Sequence, residues 1–285
     1  MTRQTIGVVG AGTMGSGIAQ LAAQKGFKVS LYDLNDALVN KGLNRIASSL
    51  AKLVDKGKLA EQDREETLAR IQITSDVRDL QNVTVVIEAI VEDMQIKQDM
   101  FRKLDEILEP GVIIATNTSS LSITQLAEAT ARQDCVAGMH FFNPAPVMRL
   151  VEVVRGLKSS DETVSALMNL ARELGKEPIE VKKDSPGFIV NRIMIPQFIE
   201  AIRLVEEGVA TPEDIDKAVT LGLNYPMGPF ALQDFAGVDI GLFVMDYFYD
   251  EFKDPRFAAP LSLRRLIRAG RTGRKAGAGW YDYDK

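Results

Sequence analysis

The chain of 285 residues contains one histidine, one cysteine and one tryptophan, His140, Cys135 and Trp280. A lone cysteine cannot form an internal disulfide, which suits a reducing, cytoplasmic compartment. One histidine and one cysteine are also too few N and S ligands for a structural or catalytic zinc site, so no metal is expected. There is no excess of positive charge: the formal net charge is −5, which gives no footprint for wrapping nucleic acid or an anionic membrane and points to a small-molecule partner. Long apolar runs are missing too. Gln4 to Gln24 is uncharged, but Gly7, Gly10, Gly12, Gly15 and Gly17 and several polar residues interrupt it, so it reads as folded chain, neither exported nor membrane-spanning. What remains, 46% hydrophobic and 26% charged, is the composition of an ordinary globular protein with enough apolar material for two domains.

Periodicity predicts alternating strands and helices. Thr5–Val9 and Lys28–Tyr32 read as strands around a helix at Gly15–Lys25, and a long helix over Asn35–Lys56 precedes a second over Glu61–Arg70. Further strands are expected at Ile71–Thr74, Val83–Glu88, Val112–Thr116, Val136–Met139, Leu150–Val154 and Pro178–Val181, with helices near Met94–Leu108, Ser122–Ala129 and Asp161–Leu174. This order implies an α/β fold with a Rossmann-type, doubly wound and mostly parallel sheet. The texture changes at Asp184-Ser185-Pro186-Gly187, where Ser185 would cap a helix opening at Pro186. We therefore divide the chain into a Rossmann-like α/β domain over residues 1–184 and a smaller all-helical domain over 185–285. Arg264, Arg265, Arg268, Arg271, Arg274 and Lys275 form a basic run without an acid, open to two readings, a solvated helix face or an anion contact.

Gly10-Ala11-Gly12-Thr13-Met14-Gly15 is a GxGxxG motif that follows a predicted strand and opens a predicted helix. Gly10 permits the tight turn, Gly12 lets backbone approach a pyrophosphate, and Gly15 lets helix pack on strand, with the helix N-terminus receiving the negative charge. Asp33 ends the second strand about 20 residues on, where a carboxylate accepts hydrogen bonds from ribose hydroxyls and repels a 2′-phosphate, favouring NAD over NADP. Asp33 could instead serve as a helix N-terminal charge, a part for which Asp36 is as good a candidate.

Polar groups gather at the ends of the later strands. Asn117-Thr118-Ser119-Ser120 follows one, His140 follows Val136–Met139, and Glu152 interrupts the apolar run Leu150–Val154. A carboxylate in such a strand is costly unless partnered, and His140 is the only histidine it could partner. A Glu152–His140 dyad would fix the imidazole tautomer for proton transfer; an exposed edge-strand glutamate beside a structural histidine is the other reading. A Ser119–His140–Glu152 hydrolase triad is disfavoured by the absence of a G-x-S-x-G elbow. Cys135, within an apolar strand, reads as a buried small hydrophobe, and Phe141-Phe142 and the residues Phe243 to Tyr249 as core or interface.

Several ordered blocks carry a resemblance over essentially the whole chain: Gly10–Gly15 with Ser16-Gly17-Ile18-Ala19-Gln20, the NTSS of Asn117–Ser120, the HFFNP of His140–Pro144, the LVEV of Leu150–Val153, the PGFIVNR of Pro186–Arg192, and the YPMGPF of Tyr225–Phe230. Together these blocks make the sequence similar to the (S)-3-hydroxyacyl-CoA dehydrogenase family in its short, monofunctional form. The resemblance implies that the chain interconverts a short-chain (S)-3-hydroxyacyl-CoA, 3-hydroxybutyryl-CoA foremost, and its 3-oxo thioester with NAD(H). It assigns His140 as acid/base, Glu152 as its orienting carboxylate, and Ser119 and Asn191 as substrate-binding groups. It further implies cofactor contacts from Gly10, Gly12, Thr13, Met14, Gly15, Asp33, Glu92, Lys97, Ser119, Asn143 and Lys275, CoA contacts from Ser49 and Lys56, and a homodimer formed through the helical domain. Trp280 stands where Phe is common in the family, a difference of packing. Other outcomes on the same scaffold are a dehydrogenase of another hydroxy acid or of a dicarboxylic 3-hydroxyacyl-CoA, or a non-catalytic, crystallin-like relative.

Overall fold

The computed structural model describes residues 5–283, and its chain divides into two units, Met1–Ser185 and Pro186–Lys285. In the first, mostly apolar strands alternate with helices: β1 (Thr5–Val9), α1 (Thr13–Gln24), β2 (Lys28–Tyr32), α2 (Asp36–Asp55), α3 (Glu61–Ala69), β3 (Ile71–Thr74), β4 (Val85–Glu88), α4 (Met94–Ile107), β5 (Ile113–Thr116), α5 (Ile123–Ala127), β6 (Val136–Phe141), β7 (Leu150–Val154), α6 (Asp161–Glu173) and β8 (Glu177–Val181). The strands form one eight-stranded sheet in the order β3-β2-β1-β4-β5-β6-β7-β8. All neighbours are parallel except β6 and β7. The order reverses between β1 and β4, the switch point at which doubly wound sheets leave a crevice outside their carboxyl ends.

Local chemistry sets the helix starts. Asn35, Asp93 and Ser160 accept the N–H groups of Leu38, Ile96 and Thr163 and so cap α2, α4 and α6. Ile6, Val8, Ile87, Ala115, Ala137 and Val153 from the sheet meet Ile18, Leu21, Ile46 and Leu167 from the helices in one continuous core. Burial on both faces is what a parallel sheet requires, and it explains why the central strands β1, β4 and β5 are rich in Val and Ile, while the edge strands β3 and β8 keep polar, exposed positions.

Two expectations shift here. Strand β6 continues through His140 to Phe141, because its ladder with β7 pairs Gly138, Met139, His140 and Phe141 with Val154, Val153, Glu152 and Val151 after pairing with β5 has ended at Gly138. Cys135 lies outside the strand, at the end of a short turn over Gln133–Cys135, and is half-buried instead of buried. Burial and the neighbouring Asp134 nonetheless push its thiol pKa up, the inert direction.

The second unit is helical, with α7 (Val190–Glu206), α8 (Pro212–Gly222), α9 (Pro229–Ala236), α10 (Val238–Phe252) and α11 (Leu261–Arg268). Its own core joins Ile195, Phe198, Ile202, Phe230, Met245, Phe248, Phe257 and Leu263. Pro186 does not open the first helix. Gly187 and Phe188 take left-handed conformations, φ 74° and 52°, which cannot continue into an α-helix, so α7 starts at Val190. The basic run divides: Arg264 pairs with Asp246, Arg271 with Asp282, Arg274 lies over the rings of Phe235 and Tyr283, and Arg265 and Arg268 are exposed.

Two carboxylates tie the C-terminal segment to this core. Buried Asp234 accepts the N–H groups of Trp280 (2.8 Å) and Tyr281 (3.0 Å) and the Tyr283 hydroxyl (2.9 Å). Asp216 accepts the N–H groups of Phe230 and Ala231, which open α9, and the Tyr281 hydroxyl (2.9 Å). Burial and this donation to Asp216 push the Tyr281 hydroxyl well above the ordinary tyrosine range.

Candidate active site

The glycine loop joins β1 to α1 with no side chain to spare. Gly10 has φ 100°, and a Cβ there would stand 2.7 Å from the Ala89 carbonyl oxygen that follows β4. At Gly15 a Cβ would stand 1.7 Å from the Gly10 carbonyl oxygen, so only glycine lets α1 lie this close to β1. Gly12 differs, because a Cβ there would meet nothing within 4 Å. Its bareness is not needed by the protein's own packing and leaves room for an approaching ligand. Gly12 caps α1 without a side-chain hydrogen bond, in contrast to the capped starts of α2, α4 and α6, and no acid lies in its first turn, so the N–H groups around exposed Thr13 and half-buried Met14 face a site suited to phosphate.

Asp33, at the end of β2, is fixed against this loop: Oδ2 accepts the Ala11 N–H (2.8 Å) and Oδ1 the Leu34 N–H (2.7 Å). The alternative candidate, Asp36, sits in the first turn of α2 and accepts the Ser75 hydroxyl, so the carboxylate beside the glycine loop is Asp33. Together the bare Gly12, the uncapped helix start and the placed carboxylate fit a dinucleotide such as NAD. Arg45 on α2 donates to the Ala11 carbonyl (3.0 Å) and holds the loop from behind.

Across the switch point, a buried polar network connects the ends of β4 and β5. Lys97, 1% exposed, reaches from α4 to Glu88 Oε1 (2.6 Å) and Glu92 Oε2 (3.4 Å). Glu88, fully buried, also accepts the Ile90 N–H (2.7 Å) and the Thr116 hydroxyl (2.7 Å). Glu92 accepts the Thr118 hydroxyl (2.7 Å), the Ser119 N–H (2.9 Å) and the Ser119 hydroxyl (3.1 Å). Three charged groups are tolerated there because each is paired and hydrogen-bonded. Asn117 carries the network to β6 by accepting the Phe141 N–H (2.8 Å).

His140 and Glu152 face each other as direct partners of the antiparallel β6–β7 pair, which places both side chains on one face of the sheet. Nδ1 of His140 lies 2.7 Å from Glu152 Oε2, with His140 5% exposed and Glu152 fully buried. Strand β7 lies between β6 and β8, so Glu152 is not the exposed edge residue of the alternative reading. A carboxylate at Nδ1 selects the tautomer in which that nitrogen carries hydrogen, making Nε2 the basic nitrogen of the neutral ring. Phe142 packs on the imidazole with centroids 4.5 Å apart.

Ser119, Glu92, Lys97 and His140 therefore gather toward the carboxyl ends of β4, β5 and β6, with Glu152 brought beside His140 by the antiparallel β7, and the glycine loop and Asp33 at the carboxyl ends of β1 and β2. Asn143 is exposed in the connection from β6 to β7. Ser49, half-buried, and Lys56, exposed at the C-cap, lie on α2 about two turns apart on one side. Asn191, in the first turn of α7, and Lys275, exposed in the turn Arg274–Ala276, belong to the helical unit. Glu88 was missed, although it carried the same signal as Glu152, an acid closing the apolar strand Val85-Val86-Ile87-Glu88. Asn117 and Thr118 fall in the polar block singled out after β5, whereas Thr116 carries no such signal, being an ordinary polar residue at a strand end.

A doubly wound sheet with a dinucleotide cradle on one side of its switch point and a buried histidine–carboxylate pair on the other defines a nicotinamide-dependent oxidoreductase. Residues 5–185 match the family described as 3-hydroxyacyl-CoA dehydrogenase, NAD binding domain, and residues 187–283 match the 3-hydroxyacyl-CoA dehydrogenase C-terminal domain. The chain is 46% identical to a probable 3-hydroxybutyryl-CoA dehydrogenase of Bacillus subtilis, covering 100% of this chain and 99% of that one. It is 45% identical to a 3-hydroxybutyryl-CoA dehydrogenase of Clostridioides difficile, covering 98% and 99%. The crystal structure of an (S)-3-hydroxybutyryl-CoA dehydrogenase from Ralstonia eutropha superposes with a TM-score of 0.95 at 49% identity, covering 99% of this chain and 100% of that one. The chain belongs to the 3-hydroxyacyl-CoA dehydrogenase family and is an NAD-dependent dehydrogenase.

Proposed function

We propose that the chain interconverts (S)-3-hydroxybutyryl-CoA and acetoacetyl-CoA, with His140 as the general acid and base. The observation that carries this reading is the buried 2.7 Å contact between His140 Nδ1 and Glu152 Oε2 at the carboxyl edge of a dinucleotide-binding sheet. The names of the relatives supply the substrate class. In oxidation His140 Nε2 takes the proton of the substrate's 3-hydroxyl; in reduction the imidazolium returns it to the 3-oxo oxygen. The nicotinamide, when bound, accepts or supplies the hydride at substrate C3. Glu152 holds the ring in the productive tautomer and stabilises its charged form. Ser119, kept in place by Glu92, and Asn191 bind the substrate oxygens. Asp33 receives the adenosine ribose hydroxyls, Glu92, Lys97, Asn143 and Lys275 contact the cofactor, and Ser49 and Lys56 hold the CoA moiety.

We assign the protein to the cytoplasm; among the described residues no helix is long and apolar enough to cross a membrane. A homodimer through the helical unit is supported by the apolar side chains that unit leaves exposed, among them Ile193, Leu221, Leu223 and Tyr225.

Following nicotinamide absorbance with acetoacetyl-CoA, longer 3-oxoacyl-CoAs and free acetoacetate tests the reading. Acetoacetyl-CoA should be reduced, and His140→Gln should lower kcat by about 10²–10⁴-fold while NADH affinity changes little. No turnover of any CoA ester would overturn the assignment.

A further inference from the structure

The connection between the strands that carry His140 and Glu152 runs from Phe142 to Arg149 and contains Asn143. Two groups hold it from separate elements. Lys176, 7% exposed and just ahead of β8, donates from Nζ to the carbonyl oxygens of Ala145 (2.6 Å) and Met148 (2.7 Å). On α1, a Cβ added at Gly17 would come within 3.3 Å of both Ala145 Cβ and Pro146 Cδ, so the connection rests directly on the helix whose start faces the dinucleotide.

A buried ammonium whose partners are two backbone carbonyls is an expensive way to hold a loop, since desolvating the charge costs more than neutral hydrogen bonds return. Burial and the charge of Lys25 accordingly pull the Lys176 pKa below the ordinary lysine value. A group retained at that cost has a geometric purpose. In a doubly wound sheet the dinucleotide crosses the carboxyl edge past the start of α1 toward the strands beyond the switch point, so a loop seated on α1 lies beside its path.

We infer that Lys176 is a positioning residue for the nicotinamide cofactor: its two hydrogen bonds hold the loop of residues 143–148 against α1 in the shape that presents Asn143 to the cofactor. The inference rests on the cofactor contact proposed for Asn143. Lys176 touches neither substrate nor cofactor; it acts through the loop.

NADH dissociation constants from fluorescence titration and KM for acetoacetyl-CoA at saturating NADH, measured on wild type, Lys176→Met, Lys176→Gln and Asn143→Ala, test it. Lys176→Met, which keeps the chain length and removes the donors, should weaken NADH about tenfold, the order of one lost charge-assisted hydrogen bond. Lys176→Gln should fall between it and wild type, and KM for the thioester should stay within about twofold in both, because the loop serves the cofactor side. Combining Lys176→Met with Asn143→Ala should weaken NADH no further than Asn143→Ala alone. Equal NADH affinity in Lys176→Met and wild type, or full additivity in the double variant, overturns the inference. Should the variants fail to fold, hydrogen exchange on wild type decides. NADH should slow exchange at the Val147 and Met148 amides, which bond to the Pro144 carbonyl, and unchanged exchange there overturns the inference. Wild type that binds no NADH overturns the cofactor reading itself, whereas NADH binding that ignores Lys176 overturns only its positioning role.

Discussion

At the scale of single residues, cost explains the site. Glu88, Lys97 and Glu152 are charged groups with essentially no exposure, and each would oppose folding by several kcal/mol if left unpaired. Each is instead satisfied by a partner from a neighbouring strand or helix, so the site is rigid before any ligand arrives. Glu152→Gln keeps the shape of the dyad and removes the charge that favours imidazolium. Its kcat should fall by at least about tenfold while NADH affinity changes little. A kcat equal to that of wild type in that variant would show that the carboxylate does not act on the histidine. A second residue-scale outcome concerns Trp280. Its ring packs edge-on against Phe230 at 4.8 Å, yet its Nε1 is buried with no acceptor among the described residues. An unpaired buried donor costs about 1–3 kcal/mol, comparable to the packing that the larger ring adds, so Trp280→Phe should leave Tm unchanged or raised. A drop of several degrees in calorimetry would show that ring volume decides.

At the scale of elements, three glycines of one motif answer to different forces. A side chain at Gly15 collides with the Gly10 carbonyl inside the protein, whereas one at Gly12 collides with nothing. Gly15→Ala should therefore destabilise the chain itself and lower Tm without ligand. Gly12→Ala should keep Tm within about a degree of wild type and, on the proposed cofactor placement, lose at least about tenfold in NADH affinity, since its methyl group would enter the space left for a pyrophosphate. Calorimetry and NADH titration on the pair check the contrast, and equal losses of Tm would refute it. The motif identifies these positions in the sequence, but not which serve the fold and which the ligand. That distinction depends on what stands opposite each Cα, and Ala89, opposite Gly10, is far along the chain.

At the scale of the whole molecule, sheet and helical units each have a core of their own. A ligand bound by the native sheet unit stabilises it by mass action, about 2.7 kcal/mol at a concentration 100 times its Kd. NADH should thus raise the melting transition of that unit. NADPH at equal concentration should do so much less if Asp33 has the ribose contact proposed for it, since a carboxylate there repels a 2′-phosphate. Equal shifts with both would remove Asp33 as the selector. Light scattering at micromolar concentration should return the mass of a dimer, and a monomer there would count against association through the helical unit. The sequence by itself determined the alternation of strands and helices, the glycine motif with Asp33 after it, and the candidacy of one histidine and one strand-bound glutamate as a pair, because burial periodicity, backbone freedom and the cost of an unpaired charge are local properties. Tertiary structure alone decided the rest. The β6–β7 ladder carried His140 into a strand and set it opposite Glu152, Glu88 and Lys97 met across a strand and a helix, and left-handed backbone at Gly187 and Phe188 delayed α7. The first two depend on how separate elements are set against each other, which a local pattern does not specify.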